Sequence, residues 1–206
     1  MNMVLKETNR ELPHETPYFL MDPKALEDSV RKYKKAFGES IQIFYAMKAN
    51  SEPTVLDVLH KAGCGFEASS TYELELLKQL GVEPQKIIYG NPIKPPKHLR
   101  HFLDYGLNTF VFDSEQELSK LAREAPGAKV YIRVQVDETG SVFTMGEKFG
   151  IDVERTIDLM CQAKETGLVP YGISFNVGSQ ATYANAWSNG LLSIIPAIKK
   201  LSDEGV

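Results

Sequence analysis

Residues 43–50 read Ile43-Phe44-Tyr45-Ala46-Met47-Lys48-Ala49-Asn50, a short apolar run that stops abruptly at a lysine. A strand buried on both faces has no place for an ammonium group in its middle. At the end of such a strand the same group can point into a pocket. There desolvation favours the neutral amine, which is the nucleophilic form. On the octapeptide alone, a solvated strand-end lysine is the simpler reading. The segments that follow decide between the two.

Apolar runs begin near Ile43, Gly65, Ile87, Thr109 and Val130, at intervals of 22, 22, 22 and 21 residues. Between them lie amphipathic stretches at Pro53–Ala62, Thr71–Leu80, Pro96–Tyr105 and Glu115–Glu124, three of them stopped by Gly63, Gly81 and Gly106. Each unit reads as strand, short loop, helix and glycine stop. Parallel neighbours need a crossover of a dozen or more residues, usually a helix, so the rhythm predicts a parallel sheet with helices outside it.

The flanks fit around this repeat. Residues 1–15 read as a mobile lead-in, and Thr16–Met21 carries a short strand signal. Asp22-Pro23 then opens a helix that runs to about Phe37 and stops at Gly38. Downstream, Asp137–Gly146 is a polar loop of about ten residues, long enough to suggest a lid or a disordered segment. A helix from about Val153 to Thr166, a strand over Tyr171–Val177, the turn Gly178-Ser179-Gln180 and a helix from about Ala184 to Ser202 complete the chain. The count is six βα units. An eight-unit barrel typically takes about 250 residues. The expected fold class is therefore α/β, an incomplete (β/α)8 TIM-like barrel over residues 16–206. A doubly wound sheet is the weaker alternative, because no GxGxxG or GxxxxGK sits at a strand-to-helix turn.

Of the 206 residues, 43% are hydrophobic and 24% charged, enough for one sizeable core. A net charge of -4 without a basic block argues against nucleic-acid binding. Cys64 and Cys161 lie far apart, with no CxxC or Cys/His cluster, so no metal site is expected and a reducing cytoplasm fits. Met1 to Arg10 has no apolar signal core, and no run approaches the roughly 18 apolar residues of a membrane span.

Barrel enzymes work at the C-terminal ends of their strands. Polar residues collect there: Lys48 and Asn50; Glu67, Ser69 and Ser70, with Glu73 in the next helix; Tyr89 to Pro92; Asp113; Arg133; and Asn176 with Gly178-Ser179. The lysine can form an imine. The Gly-Ser turn offers N–H groups and a hydroxyl to a phosphate. Arg133 needs an acidic partner or an anionic ligand, because its charge cannot be shed. Pyridoxal phosphate unites an imine-forming lysine with a phosphate. Plainer readings stand beside these: Glu67 as an exposed strand-end acid, Glu73 as a complement to a helix dipole, Asp113-Ser114 as an N-cap. His14, His60, His98 and His101 miss the strand ends and read as surface or packing residues.

The segments TPYFL, FYAMKAN, GCGFEASSTYEL, IIYGNPIK, FVFDSEQEL, YIRV, KFGID and GISFNVGSQ, in this order, resemble the fold-type III pyridoxal-phosphate decarboxylases. That family comprises the ornithine, lysine, diaminopimelate and arginine decarboxylases, and the ornithine/lysine branch is the most similar. The resemblance implies that Lys48 holds the cofactor and that Glu67 stands beside it, where the branch usually has Asp. It implies that Glu73 is a second pocket acid and that Arg133 supports the carboxylate paired with the pyridine nitrogen. Ser179 would bind phosphate, Lys148 would belong to a dimer interface, and Asp137–Gly146 would be a flexible loop near the site. It implies an amino-acid substrate, most simply a basic one, a cytoplasmic homodimer, and a barrel whose last strands and C-terminal β-domain lie outside these residues. Asn176 departs from the pattern, since the family has a histidine there that stacks on the cofactor. A non-catalytic member of the antizyme-inhibitor type and an alanine-racemase-like enzyme are the alternatives.

Overall fold

The computed structural model describes residues 15, 17, 19–38 and 40–206. The lead-in expected at the N-terminus, apart from Glu15, and His14 lie outside the described residues. The first helix, α1 (Pro23–Phe37), starts as its sequence dictates. The Asp22 carboxylate accepts from the Lys24 and Ala25 amides at 2.9 and 3.3 Å, and Pro23 needs no partner at the first helical position. The strand expected over residues 16–21 does not form in its described part. Phe19 to Met21 pair with no strand, and Phe19 is fully exposed. A β signal without a neighbouring edge has nothing to bond to.

From there the chain alternates without interruption. The elements are β1 (Phe44–Ala46), α2 (Pro53–Lys61), β2 (Gly65–Ala68), α3 (Thr71–Gln79), β3 (Ile87–Tyr89), α4 (Pro96–Tyr105), β4 (Thr109–Phe112) and α5 (Glu115–Glu124). They continue through β5 (Lys129–Val134), α6 (Arg155–Glu165), β6 (Val169–Phe175) and α7 (Ala186–Asp203). The six strands lie in sequence order and every pair is parallel. A doubly wound sheet would reverse its order part-way; this one does not, which is the winding of a barrel. β1 and β6 are not paired with each other, so the sheet is open.

The period-two alternation of strands divides the sheet into two faces. Phe66, Ile87, Tyr89, Phe110, Phe112, Val130, Ile132 and Val134 are buried in the core with Leu56, Leu74, Leu77, Leu99, Phe102 and Leu121 of the helices. Tyr89 packs on Phe102 with ring centroids 4.6 Å apart. The residues between them, among them Glu67, Ile88, Tyr131 and Arg133, fall on the opposite face, away from the helices. α7 buries Ala186, Gly190, Ile194, Ala197 and Leu201 while Trp187, Leu191, Leu192 and Ile198 stay exposed. Among the described residues no helix is long and apolar enough to cross a membrane.

Phe66, with no exposed surface, reports on the sheet–helix core. Phe66→Ala is expected to lower the free energy of unfolding by roughly 3–5 kcal/mol. Tyr72→Ala, on an exposed face of α3, is expected to change it by no more than about 0.5 kcal/mol. Urea denaturation measures both. A loss below about 1 kcal/mol at Phe66 would show that this face of β2 is not core.

Candidate active-site cleft

All six strands point the same way, so their C-terminal ends form one rim. A cleft of about 450 Å³ lies there, lined on its polar side by Lys48, Glu67, Ser69, Glu73, Arg133 and Asn176. Five of the six site residues expected from the sequence therefore share it. Ser179 is not among its lining residues.

Lys48 sits in a single 3-10 turn, Met47–Ala49, directly after β1. Met47 is buried beneath the turn, the Tyr45 hydroxyl donates to the Asn50 carbonyl at 3.2 Å, and Asn50 Oδ1 accepts from the Glu52 amide. The backbone is thus fixed and the side chain is left free. The Lys48 side chain is exposed rather than enclosed in a pocket.

Glu67 leaves β2 on the face opposite Phe66, and its Oε1 accepts from the Ser69 hydroxyl at 2.7 Å. Gly90 of the next strand's loop presses against it. A Cβ at Gly90 would stand 2.6 Å from Glu67 Cγ and Oε1, so only glycine leaves this carboxylate its room. Glu73 has the plainer role. Its Oε2 accepts from the Ser69 amide at 2.9 Å and the Ser70 hydroxyl at 3.0 Å, while Ser70 Oγ accepts from the Glu73 amide. This is a capping box at the start of α3, and it turns Glu73 back toward its own helix.

Arg133 projects from β5, half-buried, with its guanidinium carbon 5.0 Å from the Phe149 ring centroid. Burial pulls it below the ordinary guanidinium value, while Asp113, Glu138, Tyr131 and Glu67 push the other way. Among the described residues, no carboxylate lies within 4 Å of it. Asp113 is spent elsewhere, accepting from the Gly150 amide at 2.9 Å, and Ser114 rather than Asp113 caps α5.

The Gly178-Ser179 turn differs from its sequence expectation. The Gly178 amide donates to Asn176 Oδ1 at 2.7 Å and the Ser179 amide to the Phe143 carbonyl at 2.8 Å. The Ser179 hydroxyl donates to Gln180 Oε1 at 2.7 Å. The donors expected to face a phosphate are satisfied within the protein. One of these partners, the Phe143 carbonyl, comes from the loop 137–146, which is itself held by hydrogen bonds. The Val142 amide donates to the Ser179 carbonyl, the Thr182 amide to the Gly140 carbonyl, and the Glu138 carboxylate takes the Met145 and Gly146 amides. Lys148 is exposed, its Nζ 5.0 Å from the Phe149 ring centroid. Among the described residues the histidines are not part of the cleft lining; His101 pairs with Glu75 at 2.6 Å on the helical surface, and His60 packs beside Phe66.

One residue near the rim escapes a sequence reading. Lys94, in the loop after β3, is completely buried. Its Nζ donates to the carbonyls of Asn91 at 3.2 Å, Pro92 at 3.0 Å and Val111, and lies 3.0 Å from Glu117 Oε1. The available signal was local. Pro92, Pro95 and Pro96 crowd the segment, and prolines bring carbonyls without amides.

Comparison with known proteins adds the chain's relatives. The profile of a family described as pyridoxal-dependent decarboxylase, pyridoxal binding domain, matches residues 24–206. A lysine/ornithine decarboxylase from Selenomonas ruminantium is 34% identical over 189 residues, 92% of this chain and 47% of that protein. Antizyme inhibitor 2 from Xenopus laevis is 34% identical over 176 residues, 84% of this chain and 38% of that protein. The chain thus spans about half, or less, of the length of these relatives. Among solved structures, the arginine decarboxylase of Paramecium bursaria Chlorella virus superposes with a TM-score of 0.84 at 28% identity. The superposition covers 88% of this chain and 49% of that one.

The rim also sets an alkaline limit. Burial pushes the Tyr89 phenol up to about 12, with Glu117, Glu73 and Glu67 adding to the shift, and its hydroxyl donates to the Ser69 carbonyl. Between its ordinary value of 10 and about 12, the unfolded chain releases this proton while the folded chain holds it. Stability from Tyr89 is therefore complete below pH 10 and drains away as pH rises toward 12. Unfolding midpoints measured from pH 9 upward are expected to fall less steeply in Tyr89→Phe than in the parent. Parallel slopes would remove the phenol as the cause.

Proposed function

The chain belongs to the pyridoxal-dependent decarboxylase family through its pyridoxal-binding domain, and we propose that the complete protein uses pyridoxal phosphate to decarboxylate a basic amino acid. The observation that carries this reading is the meeting of Lys48, Glu67 and Arg133 in one cleft at the strand ends. The cleft's ring end fits the group. Gly90 gives the Glu67 carboxylate its room at the cleft, and Arg133 has no ion pair among the described residues. The relatives named as lysine, ornithine and arginine decarboxylases support a basic amino acid as substrate. A cytoplasmic homodimer with the site completed by residues beyond these strands is part of the same proposal.

When bound, pyridoxal phosphate supplies an aldehyde carbon and an electron-withdrawing ring that accepts the electrons left by departing carbon dioxide. Lys48 provides the amine that holds it. From its exposed position at the mouth of the cleft, Lys48 would be open to both the cofactor and an incoming amine. Glu67, oriented by the Ser69 hydroxyl and confined by Gly90, places a negative charge on the sheet's inner face. Arg133 holds a positive charge in the same cleft and would orient a carboxylate toward the cofactor ring. Tyr131, two residues before Arg133 on the same strand, contributes an aromatic wall to the cleft.

A second reading has its own support. Antizyme inhibitor 2 is as similar to this chain as the decarboxylases are. Asn176 also offers no aromatic face, and its side-chain oxygen is engaged by the Gly178 amide. On that reading the protein binds partners and carries out no chemistry.

Absorbance after addition of pyridoxal phosphate, then borohydride reduction and peptide mapping, separates the two. The enzyme reading expects a label on Lys48 that is lost in Lys48→Ala. A label that persists in that variant would refute the assignment, and no uptake by the parent would favour the binding protein. Asn176→His is expected to tighten cofactor retention severalfold; unchanged or weaker retention in a titration would count against the stacking argument.

A further inference from the structure

The loop joining β3 to α4, residues 90–95, has little means of holding its own shape. Pro92 and Pro95 donate no hydrogen bond, and the Ile93 amide is taken by Asn91 Oδ1 at 3.1 Å. Its carbonyls are gathered instead by two ammonium groups. Lys94 Nζ takes those of Asn91 and Pro92 and ties them to the Val111 carbonyl of β4. Lys120 Nζ of α5 donates to the Lys94 carbonyl at 2.6 Å. Glu117, 5% exposed, stands between the two cations, 3.0 Å from one and 2.5 Å from the other. The Lys94 ammonium also lies 5.7 Å from the Tyr89 ring centroid. The same loop carries Gly90, Asn91 and Pro92 along the cleft, and Gly90 fits against the Glu67 side chain.

We propose that Lys94 is a positioning residue: its buried ammonium group, clamped by Glu117, fixes the backbone of residues 90–92 as the wall that seats Glu67 and the cofactor ring. The assignment rests on the cofactor-binding reading given above. A lysine buried for stability alone would be a poor choice, since a buried ion pair is often matched or bettered by apolar side chains of similar volume. Burial holds this one down to about 8, against the pull of Glu117, so the ammonium is kept in place at a cost. What apolar side chains cannot replace is three directed donors converging on carbonyls of the loop and the neighbouring strand.

That difference gives the test. In the protein at its full encoded length, Lys94→Met alone and Lys94→Met with Glu117→Leu are compared with the parent. Three readouts are taken: thermal unfolding, hydrogen exchange at Asn91, Ile93 and Lys94, and the dissociation constant for pyridoxal phosphate by fluorescence titration. The double variant is expected to recover most of the thermal stability lost in the single one. It is also expected to exchange faster at those three amides and to bind the cofactor roughly tenfold more weakly or worse, the range that outer-shell substitutions carry. A double variant with parental affinity, or with parental exchange in the loop, overturns the role of Lys94. Loss of affinity that follows thermal stability step for step in both variants overturns it too, because that is the pattern of a merely structural residue. A parent that takes up no pyridoxal phosphate removes the decarboxylase reading itself, and this inference with it, an outcome distinct from the other two.

Discussion

Parallel pairing is the constraint on which everything else depends. Two adjacent parallel strands cannot be joined by a tight turn, so each of the five pairings commits the chain to a helical crossover. Repeated in sequence order, that crossover brings every strand's C-terminal end to one rim. Lys48, Glu67, Arg133 and Asn176 are up to 128 residues apart in the chain, yet each lies within two residues of its strand's C-terminal end. Period-two alternation then selects the face. Phe66 and Ile132 go to the helices because their neighbours Glu67 and Arg133 go inward, and the reverse. A one-residue slip of β2 or β5 would bury a charge under the helices and turn an apolar side chain into the cleft.

Within that frame, polar groups near the rim are satisfied by very local devices. The Asn50 carbonyl and side chain fix the turn after β1, the Ser70–Glu73 box fixes the start of α3, and Asn176 fixes the turn after β6. The loop after β3 has one such device, Asn91 Oδ1 on the Ile93 amide, but its prolines supply no donors, and its carbonyls borrow ammonium groups from its own lysine and from α5. The contrast explains why a fully buried cation is found there. Three carbonyls with no amide to pair would each be left unsatisfied, and one ammonium with three donors meets them together.

The fold was legible because its signals are repeated and local. The spacing of apolar runs, the Asp22-Pro23 start and the glycine stops placed α1, α4 and α5 at their observed bounds, and the others within about two residues at either end. The isolated signal at residues 16–21 forms no strand over its described part for the complementary reason, since a strand exists only through its partner. In the site, residue types at strand ends located the cleft. Whether a donor is available was not legible, because that depends on contacts across the sequence. Ser179 and the Gly178 amide read as an open anion seat; the structure shows the Ser179 amide engaged by Phe143 from a loop 36 residues away and the Gly178 amide by the neighbouring Asn176 side chain. Lys94 was hidden the same way. A lysine among prolines reads as solvated until α5 is folded over it.

The distribution of charge around the cleft follows from who is already committed. Three carboxylates lie near enough to Arg133 to influence it, and each is bound to something else. Asp113 holds the Gly150 amide, Glu138 the Met145 and Gly146 amides, and Glu67 the Ser69 hydroxyl. Arg133 cannot respond by losing its proton, as a lysine so placed could. It is left half-buried, stacked on Phe149, with a field of acids but no direct ion pair among the described residues. A guanidinium in that position is disfavoured by its burial and gains most from a planar anionic group presented edge-on, because its paired donors match a carboxylate's two oxygens. The acids that could have quenched it are tied to the backbone that shapes the rim. The same hydrogen bonds that order the loops therefore keep Arg133 available, and structure and site are secured by one set of contacts.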